Sequence, residues 1–243
     1  ACAYSLGCNT EANLLETCAS PESPHVVFDL RTTQKQGSAD TNYWLRTPFP
    51  SDIRTHPKTG LLDWSALPNP WDSSLFTMYL SLLGEEVKGS GLSTPVYFRF
   101  SAPIDTNALP NTPSVGSKTA HIQLIDITPN SPTYGQRHPI RWQYWENETD
   151  FLPQNTLAIA PAWGFPLLET TTYAVIITSS LPLSNPESEW GVQPNLFRLL
   201  NGIHQSDQLC SEADLSDQID LQGMQTLADF LRHNTINPKD IVA

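Results

Sequence analysis

Apolar and polar positions alternate in short runs through the middle of this chain. Residues 95–100, 121–127 and 140–145 follow period two, and residues 156–160 and 171–178 are small, β-branched or aromatic nearly throughout. That spacing sends successive side chains to opposite faces and reads as strand. Pro161, Gly164 and Pro166 interrupt the run between the last two, because proline lacks the ladder donor and glycine favours turns. Turn-rich clusters at 101–105, 128–132 and 146–153 separate the others. Short strands at such intervals predict antiparallel pairing and a β-sandwich. Residues 25–30 read as the first strand of the set.

The period changes on either side. Asp72, Ser73 and Ser74 make a capping signal ahead of Leu75, Phe76, Tyr79, Leu80, Leu82 and Leu83. Those positions suit one buried helix stripe, with Gly84 as its stop. Residues 13–16 suggest a short helical turn. Prolines on both sides of Phe49 predict an extended or polyproline course over 47–52. Residues 195–200 read as helix. So do 215–234, through apolar positions 215, 219, 221, 224, 227, 230 and 231, with Gly223 as a weak point. Ser211 to Asp214 reads as that helix's acidic start, and Asn237-Pro238 as its end. Ile241 and Val242 then begin a strand that either adds to a sheet edge of this chain or is completed by a partner subunit. The divisions are 1–24, a cysteine-containing segment; 25–190, the sandwich; and 191–243, a helical C-terminal segment. No internal repeat is visible.

Composition narrows the setting. The 243 residues are 39% hydrophobic and only 16% charged, with 21 prolines against 12 glycines, which points to long ordered loops. The formal net charge of −12 disfavours nucleic acid and anionic membrane as partners. No run of about 18 apolar residues is present, so no membrane span is predicted. The cysteines are Cys2, Cys8, Cys18 and Cys210. Their spacing matches no standard zinc pattern, and disulfides in an oxidising compartment are the expectation, with Cys210 bonded to one of the other three.

Candidate chemistry is sparse. The six histidines are scattered and form none of HxH, HExxH or HxxxH. Glu146, Glu148 and Asp150 bracket Asn147 in a loop; a solvated loop is the ordinary reading, and a Ca²⁺ loop or a carboxylate pair the alternative. Asn147-Glu148-Thr149 is also a glycosylation sequon. Trp142 and Trp145 differ by three, so on a strand they face opposite sides, one in the core and one available for stacking on a sugar ring. No Gly-x-Ser-x-Gly elbow occurs in the sequence, which predicts no hydrolase activity in this chain alone.

Four segments carry a resemblance. Thr47-Pro48-Phe49-Pro50-Ser51-Asp52, the run from Gly91 to Asp105, the strand 121–127 and the hairpin from Thr156 to Thr178 resemble, in that order, elements of the N-terminal β-sandwich of secreted bacterial virulence-factor-type lipases and of related extracellular lipoproteins. The resemblance spans residues 44–183. It implies a mainly β, antiparallel Ig-like sandwich, and a bacterial protein that is secreted, periplasmic or on the outer cell surface. In that family an α/β-hydrolase domain follows. The expectation drawn from all this is a non-catalytic module for protein association or assembly, its partner a protein or the remainder of a longer precursor. The alternatives are an accessory domain of an extracellular lipase or esterase, and a polysaccharide-binding module. Oligomeric state is left open.

Overall fold

A computed structural model describes residues 18, 21–30, 41–110, 117, 119–204, 209–210 and 221–243. Its strands are β1 (Val96–Arg99), β2 (Ile122–Asp126), β3 (Arg137–His138), β4 (Ile140–Trp145), β5 (Thr156–Pro161) and β6 (Tyr173–Ile177). Its helices are α1 (Thr41–Trp44), α2 (Ser74–Glu86), α3 (Pro194–Leu200) and α4 (Gln222–His233). The strands pair into two three-stranded antiparallel sheets, ordered β1-β5-β4 and β3-β2-β6. Every strand expected between residues 95 and 178 is therefore present and antiparallel.

Register explains the burial. Ile159 of β5 lies between Val96 and Trp142, and Leu157 between Phe98 and Tyr144. These side chains share one face of the first sheet. They form a single core with Ile122, Leu124 and Ile177 of the second sheet. The intervening residues of β2 and β6, Ile125, Ala174 and Ile176, point the other way. There they meet α3 and α4 through Leu196, Leu199, Phe230 and Leu231. The second sheet is thus covered on both faces, and all five residues of β2 are buried. The outer face of the first sheet is covered by a third cluster built on Trp44, Leu45, Phe49 and Leu62, with Tyr97 against it. The fold is mixed rather than mainly β, because the helices supply a layer the second sheet needs.

Several expectations are corrected. Residues 25–30 are not a strand. Val26 bridges Phe100, Val27 donates to Arg99 O (2.8 Å), and Asp29 donates to Arg46 O (2.7 Å). The backbone bonds are divided between two segments, so no ladder forms. Gly84 does not stop its helix, which continues to Glu86; the stop is at Val87, whose extended backbone lets its carbonyl accept from Leu62 N (3.3 Å). Gly223, read as a weak point, lies inside α4 where an added Cβ would strike the Asp52 carboxylate. The absent side chain is a packing requirement. The helical turn at 13–16, the helix start at 211–220, Cys2 and Cys8 lie outside the described residues.

Two expectations about long-range closure hold. Cys18 and Cys210 form a disulfide across 192 positions. Ile241 and Val242 add to the free edge of β6: Val242 N donates to Ile177 O (2.8 Å), Ser179 N to Asp240 O (2.8 Å), and Thr178 bridges Ile241. Both side chains are buried.

Candidate functional site

α2 is the element the core does not absorb. Its start is built as the sequence predicts: Ser73 Oγ accepts from Phe76 N at 3.3 Å, filling one orphan donor of the first turn. Asn69, itself buried, holds that turn down, donating Nδ2 to Ser73 O (3.0 Å) and Thr77 Oγ1 (3.1 Å) and accepting Ser73 N on Oδ1 (3.0 Å). Beyond this anchor Leu80 alone of the helix is buried.

The buried stripe expected on α2 is therefore overturned. Leu75, Met78, Tyr79 and Leu82 face solvent, with Met78 65% exposed. Their spacing of 0, 3, 4 and 7 places them on one face. Trp71, just before the helix, is exposed as well and meets the edge of Phe151 at 5.1 Å. Apolar residues occupy most of the circumference of α2, more than a single contact with the body of the protein can cover. A helix apolar all round is ordinarily buried, so an uncovered ridge of this length departs from the ordinary pattern of a helix packed on a core.

Hollow space flanks the inner side of α2. One cavity of about 820 Å³ lies between Thr77, Leu80 and Ser81 of the helix and Tyr43, Arg54 and Trp64 opposite. A second, of about 350 Å³, is lined by Pro50, Leu67, Phe76, Leu83 and Val87. Leu62, Trp64 and Leu80 line both. Arg54 ends a single 3-10 turn, Asp52–Arg54, and its guanidinium lies over the Phe49 ring (4.8 Å to the centroid). Nη1 donates to Trp44 O at 2.6 Å. Burial lowers its pKa, against the opposing charge of Asp63, and arginine stays a cation regardless. Trp64 packs against Phe49 in a T-shaped arrangement, with ring centroids 5.2 Å apart. Its indole N–H is buried without an acceptor among the described residues.

A second apolar patch lies in the β5–β6 connection. Trp163 is 78% exposed and carries Arg141 over its ring at 3.8 Å, with Phe165 and Leu168 exposed beside it in sequence. Leu167 N donates to Leu92 O (2.9 Å), so this connection runs alongside the loop between α2 and β1.

The residues singled out from sequence are not gathered here. Trp142 and Trp145 do face opposite sides. Trp142 packs in the intersheet core and donates Nε1 to Pro110 O (2.7 Å), whereas Trp145 lies on the outer face, 6.4 Å from Tyr97. They form no common platform. Glu148 accepts a hydrogen bond from Thr41 Oγ1, tying the 146–153 loop to α1. Among the described residues no three His, Cys, Asp or Glu side chains come together as a metal site, and Glu146, Glu148 and Asp150 are no exception. His121 Nδ1 lies 2.9 Å from Ser180 Oγ. Ser180 bonds Thr178 Oγ1 (2.6 Å), and no acidic side chain among the described residues holds the His121 ring. His25 Nδ1 lies 2.8 Å from Ser23 O, and burial is the main cause of its lowered pKa. His138 bonds Phe165 O (2.7 Å).

Sequence reasoning missed Arg54 and Trp64, to which it gave no role. The available signal was the density of Trp44, Phe49, Trp64 and Trp71 around two arginines, Arg46 and Arg54. Comparison with family models, curated proteins and solved structures finds no match for this chain. The site is therefore read from its geometry.

Proposed function

We propose that this chain is a non-catalytic association module of a secreted or cell-surface bacterial protein, and that it docks on a protein partner through the outer ridge of α2. The single observation that carries the reading is the uncovered face of Leu75, Met78, Tyr79 and Leu82. The Ig-like sandwich suggested by the resemblance is supported by two antiparallel sheets sharing one core. An extracytoplasmic setting is supported by the Cys18–Cys210 bond.

Magnitudes define the kind of contact. The four side chains are half to two-thirds exposed; covering them yields roughly 4–7 kcal/mol at the usual value per side chain. Association itself costs about 4–15 kcal/mol. The ridge alone supports a reversible contact, and tighter binding needs Trp71 as a central anchor. Asp72, Glu85 and Glu86 border the ridge, with Lys88 beyond its end, on a chain of net charge −12. The matching partner presents an apolar groove with a lysine- or arginine-rich rim. A second copy of this acidic chain does not meet that description.

A photoreactive residue placed at position 78 in the producing cell tests the reading. One discrete protein adduct is expected, absent when the same residue is placed at exposed Glu187. Mapping the adduct separates another protein from a downstream part of the same precursor. Absence of a protein adduct, or binding of the purified chain to phosphatidylcholine vesicles that is lost on Met78→Ser/Leu82→Ser, overturns it.

A further inference from the structure

The paired cavities under α2 pose a separate question, although Tyr79 of the docking ridge also borders the smaller of them. The smaller one has an uncharged lining of Pro50, Leu67, Phe76, Leu83 and Val87. The larger one carries charge of both signs: Arg46 and Arg54 against Asp29, Asp63, Asp72 and Glu85. They meet at a shared wall of Leu62, Trp64 and Leu80. Both volumes, about 820 and 350 Å³, fall in or near the range of small-molecule sites, roughly 300–1,000 Å³.

One buried donor at this junction, the Trp64 indole N–H, has no acceptor among the described residues. The Arg54 guanidinium stands beside it, bonded to Trp44 O through Nη1 and not itself among the buried groups left without a partner. Both groups pack on the same ring, Phe49. A buried donor without a partner is costly, so an orphan indole N–H with a guanidinium next to it, beside a cavity, is completed by something that brings acceptors.

We infer that the two cavities form one binding site for an uncharged single-chain amphiphile with a hydroxyl-bearing head. The alkyl chain occupies the smaller, uncharged cavity. The head sits in the larger one. Its oxygens accept from Arg54 and Trp64, and its hydroxyls donate to the carboxylates that line the cavity. The charge of the lining selects the head: four carboxylates disfavour an anion, and the Arg54 guanidinium at the junction disfavours a cation. A hydroxyl group, donor and acceptor at once, satisfies both.

Three probes with the same eight-carbon chain separate these heads: octyl glucoside, octanoate and octyltrimethylammonium, each kept below its micelle concentration. The reading is the indole N–H spectrum of the folded chain, with the Trp64 peak assigned by Trp64→Phe. Octyl glucoside is expected to shift the Trp64 peak saturably, and the two ions to bind at least about tenfold more weakly. Met78→Ser/Leu82→Ser, which changes only the outer ridge, leaves the titration unchanged, whereas Leu83→Phe, which fills the smaller cavity, abolishes it. No saturable shift at Trp64 in the unsubstituted chain overturns the inference. So does equal binding of all three heads, or a titration lost with the ridge and kept in Leu83→Phe.

Discussion

The Asn195 side chain brackets the backbone of Cys210 on both sides, donating Nδ2 to its carbonyl at 2.9 Å and accepting its amide on Oδ1 at 2.7 Å. Arg198, one turn on in α3, donates Nη1 to Cys210 Sγ. α3 therefore fixes both the backbone and the sulfur of one end of the disulfide, and all seven of its residues are buried. The other end, Cys18, is tethered by the covalent bond across 192 positions. In the chain-entropy model a loop of that length is worth about 5 kcal/mol. Cys18→Ser/Cys210→Ser is expected to lower the melting temperature by about 10 °C or more. Asn195→Ala, which leaves a buried amide and carbonyl without partners, costs about 2–4 kcal/mol with the disulfide intact. Denaturant melts of the three proteins check both values; equal midpoints refute them.

α2 separates two kinds of leucine. Leu80 is its one buried residue, and Leu75 and Leu82 stand outside. Leu75→Ser/Leu82→Ser is expected to change stability by no more than about 0.5 kcal/mol per site, as at ordinary surface positions. Leu80→Ala is expected to cost about 2–3 kcal/mol, at the low end for a core leucine because hollow space already adjoins it. Thermal melts decide it, and a larger loss from the outer pair means that the ridge is covered by the chain itself.

The strands were legible because their signal is local. Period two in 121–127 and 140–145 reflects the register that places Ile122 and Leu124 in one core and Ile125 in another. The burial of α2 was not legible, since that depends on what lies opposite. The sequence displays six apolar positions at helical spacing, and nothing in it says that the 43–66 segment leaves cavities there instead of side chains. The same holds for 25–30, where β-propensity is satisfied by bonds to two unrelated segments. Arg54 and Trp64 escaped because their roles come from a shared neighbour, Phe49, at separations no motif encodes.

Catalysis is testable through the shorter of two serine–histidine contacts among the described residues, Ser180–His121 at 2.9 Å against Ser101–His25 at 3.3 Å. Ser180 and His121 are in hydrogen-bond reach, yet among the described residues no carboxylate orients the imidazole, and a triad needs that third group. The purified chain is expected to show no turnover of p-nitrophenyl esters above background. Turnover abolished by Ser180→Ala contradicts this.

The C-terminal residues close a sheet edge. Ile241 and Val242 are buried, one in each of the two larger cores, and their backbones pair with β6 and the residues that follow it. Deleting residues 239–243 removes two aliphatic side chains worth about 1.5–3 kcal/mol each and exposes the edge of β6 to other chains. A melting temperature lower by about 6–20 °C is expected, together with a tendency to associate seen by light scattering. An unchanged melt would mean that this pairing contributes nothing.

Asp126 sets the acid limit of the fold. It ends β2 and is only 1% exposed. Its Oδ2 accepts from Thr133 Oγ1 (2.6 Å) and Ser131 Oγ (2.7 Å), and its Oδ1 from Thr128 N (2.8 Å), so one carboxylate organises the whole turn from β2 to β3. Burial by itself raises its pKa, but the hydrogen bonds from Thr133, Ser131 and Thr128 outweigh burial and leave it below the ordinary value. The sign follows from linkage. The unfolded carboxyl titrates near 3.8 and the folded one lower, so this stabilisation is complete above that value and is lost as pH falls through the folded pKa. Asp126→Asn keeps the shape and removes the charge, and charge-assisted bonds of this kind are worth about 1.5–3 kcal/mol each. The variant is expected to be less stable at pH 7 by at least about 2 kcal/mol, and the difference to shrink below pH 4. Urea unfolding of both proteins at pH 7, 5, 4 and 3 measures it. A gap that stays constant down to pH 3 would show that the charge of Asp126 does not stabilise the turn.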